Sequence, residues 1–391
     1  MIDHNHPVGE LENTLQNNNR LVLLDVMRAW AVFMMIQGHT IDALLSDTYY
    51  ASDSFLFNLW QFNRGLTAPI FLFGSGFAYV IATFRKMEGT RVPLSVVVKR
   101  LRWIIVLFAI GALMHLPGGT LSYLTTLSGD EWVRFFNVDV LRLMAVSLFG
   151  LFSLLLLTRN RERLLVSAVA VAVVLYVVAP FTAMVDWTLH IPQWAAAFMN
   201  AKTGSWFPIF PYAGHLFAGA AAAALYLRWK ERGLDSKLPL YFLIGALAIL
   251  LVSFVPRLIF GWKLPLNDGA SSIWLSFSRV GWVLLLWSVI GFGLRYVKRV
   301  PSIITISGQH SLLIYVSHIV VLYGSAWMPG FRQMFGKTMD LDAVMAVIVF
   351  LLISTTWAAK VVHQLKAEKS PIYRYTPYAA GILILTFMVF A

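Results

Sequence analysis

The chain has no cysteine among its 391 residues. Disulfides, zinc–thiolate sites and an acyl-cysteine intermediate are thereby excluded. Charge is scarce as well. Only 13% of residues are Asp, Glu, Lys or Arg, against about a quarter in a soluble domain. Acidic residues are the rarer sign, 19 against 31 Lys and Arg, giving a net charge of +12. No P-loop, HExxH, GxSxG or dinucleotide fingerprint occurs, and no internal repeat or low-complexity block. So apolar a composition is at odds with a soluble enzyme, a disordered chain or a fibrous one.

What is present is apolar residue, 59% of the chain. Apolar stretches of about 20 residues, enough to cross a bilayer, recur along the whole length. Eleven candidate spans are read at 21–45, 55–84, 101–118, 138–158, 164–181, 206–227, 238–255, 274–294, 303–323, 341–362 and 376–391. The expected fold class is an all-α polytopic integral membrane helical bundle of about 11 transmembrane helices. The second span is long enough to tilt, or to break near Pro69, and the last is short enough to lie at the interface. Residues 1–19 are polar and lack a signal-peptide pattern, so they read as a loose cytoplasmic tail. Residues 20–391 read as a single transmembrane domain whose first span stays as an anchor.

Basic residues in alternate loops set the orientation. With the N-terminus inside, the cytoplasmic segments hold nineteen of the 31 Lys and Arg and the outer segments six. A multi-pass protein of the cytoplasmic (inner) membrane is expected. Its positive charge then reflects basic loops, not a nucleic-acid partner.

Ionisable residues inside the spans carry the functional signal, because a charge at the bilayer centre costs at least about 2.5–3.5 kcal/mol. The first span has the densest set: Asp25, Arg28, His39 and Asp42. At 100° per residue these four fall within an arc of about 100°, on one helix face. Arg28 and His39 are about 16 Å apart along the axis. The alternative is an Asp25–Arg28 pair tying helices together, with His39 merely interfacial. Lys99-Arg100-Leu101-Arg102 opens the third span with three cations, which at a helix N-terminus suit a phosphate; ordinary positive-inside anchoring explains them equally. In the second span Arg64 lies in the outer half and needs a partner, for which Asp42 is a candidate. The glycines of Gly74-Ser75-Gly76 read as helix packing. In the ninth span Ser311, Tyr315 and His318 share one face, with His318 toward the outer half like His39. His115, Asp139, Arg142, His215 and Arg279 also fall near outer span ends and are candidates for the same cavity.

The first-helix stretch Arg20 to Arg28, followed by Met34-Met35 and His39, resembles the opening helix of a membrane acyltransferase superfamily. That superfamily includes the acyltransferase-3 family and the heparan-alpha-glucosaminide N-acetyltransferase-like proteins. Ala68 to Phe77 resembles its second-helix signature, Phe207 to Gly214 the Phe-Pro-rich opening of a later helix, and Ser311-Leu312 with Tyr315 and His318 its Ser-Leu…Tyr-x-x-His segment. Ala29 stands where the family commonly has Gly, and Ser46–Ser54 contains no His. The resemblance implies an integral membrane O- or N-acyltransferase. It would move an acyl group, acetyl being expected, from cytoplasmic acyl-CoA to a hydroxyl or amine of a glycan, lipid or other envelope acceptor at the outer face. By the same resemblance His39 is the base, and Arg28, Lys99, Arg100 and Arg102 hold the CoA phosphates. Asp42 orients the imidazole, and Arg64 or His318 stabilises the oxyanion. Acyl-CoA is the co-substrate, membrane lipids are partners, and no metal is expected. A secondary transporter or a non-catalytic membrane assembly protein uses intramembrane charge too and stays open on sequence alone.

Overall fold

A computed structural model describes residues 21–51, 54–260 and 269–373, with scattered positions beyond. The expected tail and most of the expected last span, 376–391, lie outside the described residues. The described chain is helical throughout, with three isolated bridges and no strand.

The helices run in chain order as α1 Val22–Leu44, α2 Phe55–Phe84, α3 Leu94–Met114, α4 Leu121–Thr125 and α5 Gly129–Phe136. There follow α6 Val140–Thr158, α7 Arg161–Met184, α8 Gln193–Met199, α9 Ile209–Glu231 and α10 Leu238–Phe260. The last are α11 Ile273–Gly293, α12 Ser302–Gln309, α13 Ser311–Tyr323, α14 Phe331–Phe335 and α15 Leu341–Ala367.

Among the described residues seven helices are long and apolar enough to cross a membrane, or eight if the bent pair α12–α13 counts as one span. The protein is a multi-pass membrane bundle. Helices α1 and α3 occupy the expected first and third spans and are long enough to cross at about 1.5 Å per residue. They carry the densest charge: Asp25, Arg28 and Asp42 on α1; Lys99, Arg100 and Arg102 on α3. Such helices are sustained by neighbours that shield the polar groups, not by lipid. Accordingly α1 is central, packed against α2, α12, α13 and α15.

Two expectations about breaks are corrected. Helix α2 does not break at Pro69 but runs unbroken for 30 residues. Proline clashes with the carbonyl four residues back; that residue is Gly65, which has no side chain to crowd the adjustment. The ninth span is instead the broken one, bent by 78° between α12 and α13. Here Gly308 lies against the Asp25 backbone, and a Cβ at 308 would overlap the Asp25 carbonyl. The contact brings α12 onto α1, and Gln309 Nε2 donates to Asp25 Oδ2 at 3.4 Å. His310, at the break, lies 3.3 Å from His363 of α15, ring nitrogen to ring nitrogen.

The two ends of the bundle differ. Loops 85–93, 159–160, 232–237 and 294–301 are short and basic. The opposite end has long connections holding α4, α5, α8 and α14. Phe207 N bonds to Val138 O at 3.0 Å and Met339 N to Leu44 O at 3.0 Å, which pins these connections across the mouth of the bundle.

Candidate active site

The long-loop end encloses a cavity of about 820 Å³. Helix α1 contributes Met34, His39 and Asp42; α2 contributes Gln61, Arg64 and Pro69. The opposite wall comes from His115, Asp139, Trp206 and Tyr212, with Arg279 from α11. Tyr315 and Tyr323 of α13 and the loop residues Arg332 and Lys337 complete it.

The centre of the site is a pair of imidazoles. His39 Nδ1 lies 2.9 Å from His318 Nε2, with near-parallel rings 5.2 Å apart. His318 is wholly buried, and its Nδ1 lies 2.8 Å from the Ile314 carbonyl oxygen. A carbonyl only accepts, so Nδ1 of His318 carries the proton and its Nε2 presents a lone pair. In the neutral pair His39 Nδ1–H donates to that lone pair. Nε2 of His39 is then the unprotonated nitrogen, held on a residue of the cavity wall. The backbone beneath is fixed as well: the Tyr323 hydroxyl donates to the His39 carbonyl at 3.2 Å. Tyr315 packs edge-on to both imidazoles, at 6.4 Å and 5.5 Å between centroids.

Charge around this pair is arranged in couples. Arg64 pairs with Asp42, bonds Gln61 Oε1 at 3.3 Å and lies over Trp60. The absence of a side chain at Gly38 leaves room for it, since a Cβ there would come 3.3 Å from Arg64 Nε. Lys337 meets Asp47 at 3.1 Å. Asp139 caps α6 by accepting from Arg142 N at 2.9 Å, and its second oxygen lies 3.9 Å from His115 Nδ1.

Four of the eight site residues read from sequence are brought together here: His39, Asp42, Arg64 and His318. Asp42 does not touch the His39 ring in any recorded contact; it serves Arg64, and His318 occupies the orienting position instead. Arg28, Lys99, Arg100 and Arg102 do not line this cavity. Arg28 sits on the same face of α1, toward the basic end, close to Gly74 of α2, beside which Trp287 of α11 also packs. The expected phosphate site at the opening of the third span is corrected. Helix α3 begins at Leu94, so Lys99, Arg100 and Arg102 lie in its second and third turns, past the free N–H groups of the terminus. Arg100 turns inward over the Tyr79 ring at 4.6 Å, while Lys99 and Arg102 are exposed.

Sequence reasoning missed Gln61, Tyr323, Arg332 and Lys337. Tyr323 follows Tyr315 by eight residues, on the same side of α13, and was open to the same periodic argument. Arg332 and Lys337 come from a loop whose fold-back no periodicity reports.

The heparan-alpha-glucosaminide N-acetyltransferase catalytic-domain model matches residues 20–253. The match covers α1 to most of α10, including His39, Asp42 and Arg64, and stops before Arg279 and His318. It supports the heparan branch of the resemblance and not the acyltransferase-3 branch. No curated protein matches the chain. With well over half of its length matched, the chain belongs to the heparan-alpha-glucosaminide N-acetyltransferase catalytic-domain family.

Proposed function

We propose that this protein transfers acetyl from cytoplasmic acetyl-CoA to an amine or hydroxyl of a glycan-type acceptor held in the long-loop cavity, with His39 as the general base. The observation that carries the reading is the His39–His318 contact, which leaves the lone pair of the cavity residue on Nε2. The basic loops face the cytoplasm in this reading, by the positive-inside asymmetry, and the cavity opens on the outer face.

The acceptor loses a proton to His39 Nε2 as its nitrogen or oxygen attacks the thioester carbonyl carbon. The resulting tetrahedral oxyanion lies near Arg64, whose guanidinium faces the same cavity. Collapse breaks the carbon–sulfur bond, and the proton on His39 passes to the leaving sulfur. His318 accepts from His39 Nδ1–H throughout and stabilises the imidazolium as it forms. The donor's phosphates are assigned to the basic end, where Arg28, Lys99, Arg100 and Arg102 lie. Its acyl arm follows the polar face of α1, about 16 Å from Arg28 to His39. General-base help of this kind is worth about 10²–10⁴-fold in rate.

The broken α12–α13 pair is the one feature a transporter reading would use. Detergent-purified protein mixed with acetyl-CoA separates the two. The acetyltransferase reading expects a higher Tm with acetyl-CoA, and acetylated glucosamine detectable by mass spectrometry. An unchanged Tm across a wide acetyl-CoA range and no acetylated product would overturn it.

A further inference from the structure

Helix α11 carries Arg279 into the cavity wall two turns from its start. Every other cation lining the cavity is balanced or stacked: Arg64 on Asp42, Lys337 on Asp47, and Arg332 over the Tyr323 ring at 5.8 Å. Arg279 makes no ion pair among the described residues, and its Nη1 is buried with no hydrogen-bond partner. A guanidinium within a membrane bundle is expensive unless something answers its charge.

A second donor lies behind it. His215 of α9 is 1% exposed, and its Nδ1 lies 3.0 Å from the Tyr176 hydroxyl of α7. That hydroxyl has no other recorded acceptor, so it donates to Nδ1 and the His215 proton sits on Nε2. Nε2 is buried without a partner too. Arg279 is close enough for its charge to be felt at both His215 and Tyr176. Three helices thus converge on a wall that offers hydrogen-bond donors and positive charge and lacks an acceptor. The planar guanidinium fork matches the paired oxygens of an oxyanion.

We propose that Arg279, backed by His215, is a subsite for an oxyanion substituent of the acceptor, a carboxylate, sulfate or phosphate ester, and that it selects acceptors bearing one. The acceptor is named as the bound molecule on the acetyl-transfer reading; the anion site itself stands on the cavity geometry alone. Arg279 is a specificity residue here, remote from the bonds that change.

Two measurements on the full chain in detergent test it. In the first, Tm is followed with sodium glucuronate or glucose 6-sulfate against glucose at constant ionic strength. The charged sugars stabilise the wild type and glucose does not; R279Q loses the difference and R279K keeps part of it. In the second, glucosamine and glucosamine 6-sulfate are compared as acetyl acceptors. The wild type has a KM at least about 10-fold lower for the sulfated sugar, the size of one charge-assisted contact. R279Q abolishes that ratio with kcat kept within about 2-fold, as loss of uniform binding requires. Equal response of the wild type to charged and neutral sugars overturns the subsite, and that result needs no variant to fold. So does an equal fall in kcat with both acceptors, which makes Arg279 an oxyanion stabiliser, or a rise confined to the KM for acetyl-CoA, which makes it a donor contact. Selective stabilisation by charged sugars without any acetylated product keeps the subsite and sinks the acetyl-transfer reading instead.

Discussion

Nδ1 of His39 lies 2.9 Å from Nε2 of His318, across 279 residues of sequence. The contact joins α1 to the outer half of the broken span, and Ile314 fixes its direction by accepting from the far side of the His318 ring. The first prediction follows. His318→Phe removes the acceptor that orients His39 and lowers kcat about 10–100-fold, the effect of removing the partner that orients a functional imidazole. His318→Gln, whose amide oxygen still accepts, keeps more activity. Acetyl-transfer rates of the two variants at equal Tm check this; equal loss in both would mean that His318 acts by packing.

Asp42 and Arg64 are each about a third exposed, at 28% and 32% of the side chain. Breaking the pair therefore costs less than the 3–5 kcal/mol of a fully buried one, about 1–2 kcal/mol. Asp42→Asn lowers Tm accordingly, and Arg64→Gln added to it restores part of the loss, because the uncompensated charge has gone. A double-mutant cycle by thermal unfolding reads the coupling.

Glycines divide by what a Cβ would meet. At Gly308 it would overlap the Asp25 carbonyl, so Gly308→Ala forces α12 from α1 and destabilises by about 1–3 kcal/mol. At Gly65 it meets nothing within 4 Å, and the residue lies inside α2, so Gly65→Ala is neutral or stabilises by up to about 1 kcal/mol. Thermal melts of the two variants should move in opposite directions or differ widely.

Outside the membrane, the Ser128 backbone N–H, then the Ser128 hydroxyl and the Tyr123 hydroxyl, hold the Glu131 carboxyl below its ordinary 4.5. A depressed carboxylate adds stability that is present above its unfolded value and is lost as pH falls through the folded one. Acidification below about pH 4.5 therefore frays α5, whose capping box needs the carboxylate. Hydrogen exchange at 129–136 rises on that descent in the wild type and is already raised at neutral pH in Glu131→Gln.

Much of this was legible in the chain. The polar stripe of α1 betrays itself because a helix period maps Asp25, Arg28, His39 and Asp42 to one face, and lipid cannot be that face's neighbour. Tyr315 and His318 follow by the same rule. The break between α12 and α13 was not legible. It coincides with the fit of Gly308 onto Asp25, a contact between residues 283 positions apart in sequence. The pairing of Asp42 with Arg64 could be guessed from charge balance, but His318 as the partner of His39 could not, since nothing local specifies which helix lies beside α1. The unpaired Arg279 is visible only once its neighbours are known to offer no acid.

The central claim is that His39 takes the acceptor's proton within this cavity. The most direct test is the acetyl-transfer rate of His39→Ala against wild type, at saturating acetyl-CoA and matched Tm. The account predicts a loss of about 10²–10⁴-fold with acetyl-CoA binding intact. A variant that folds, binds acetyl-CoA and transfers acetyl at the wild-type rate would contradict it.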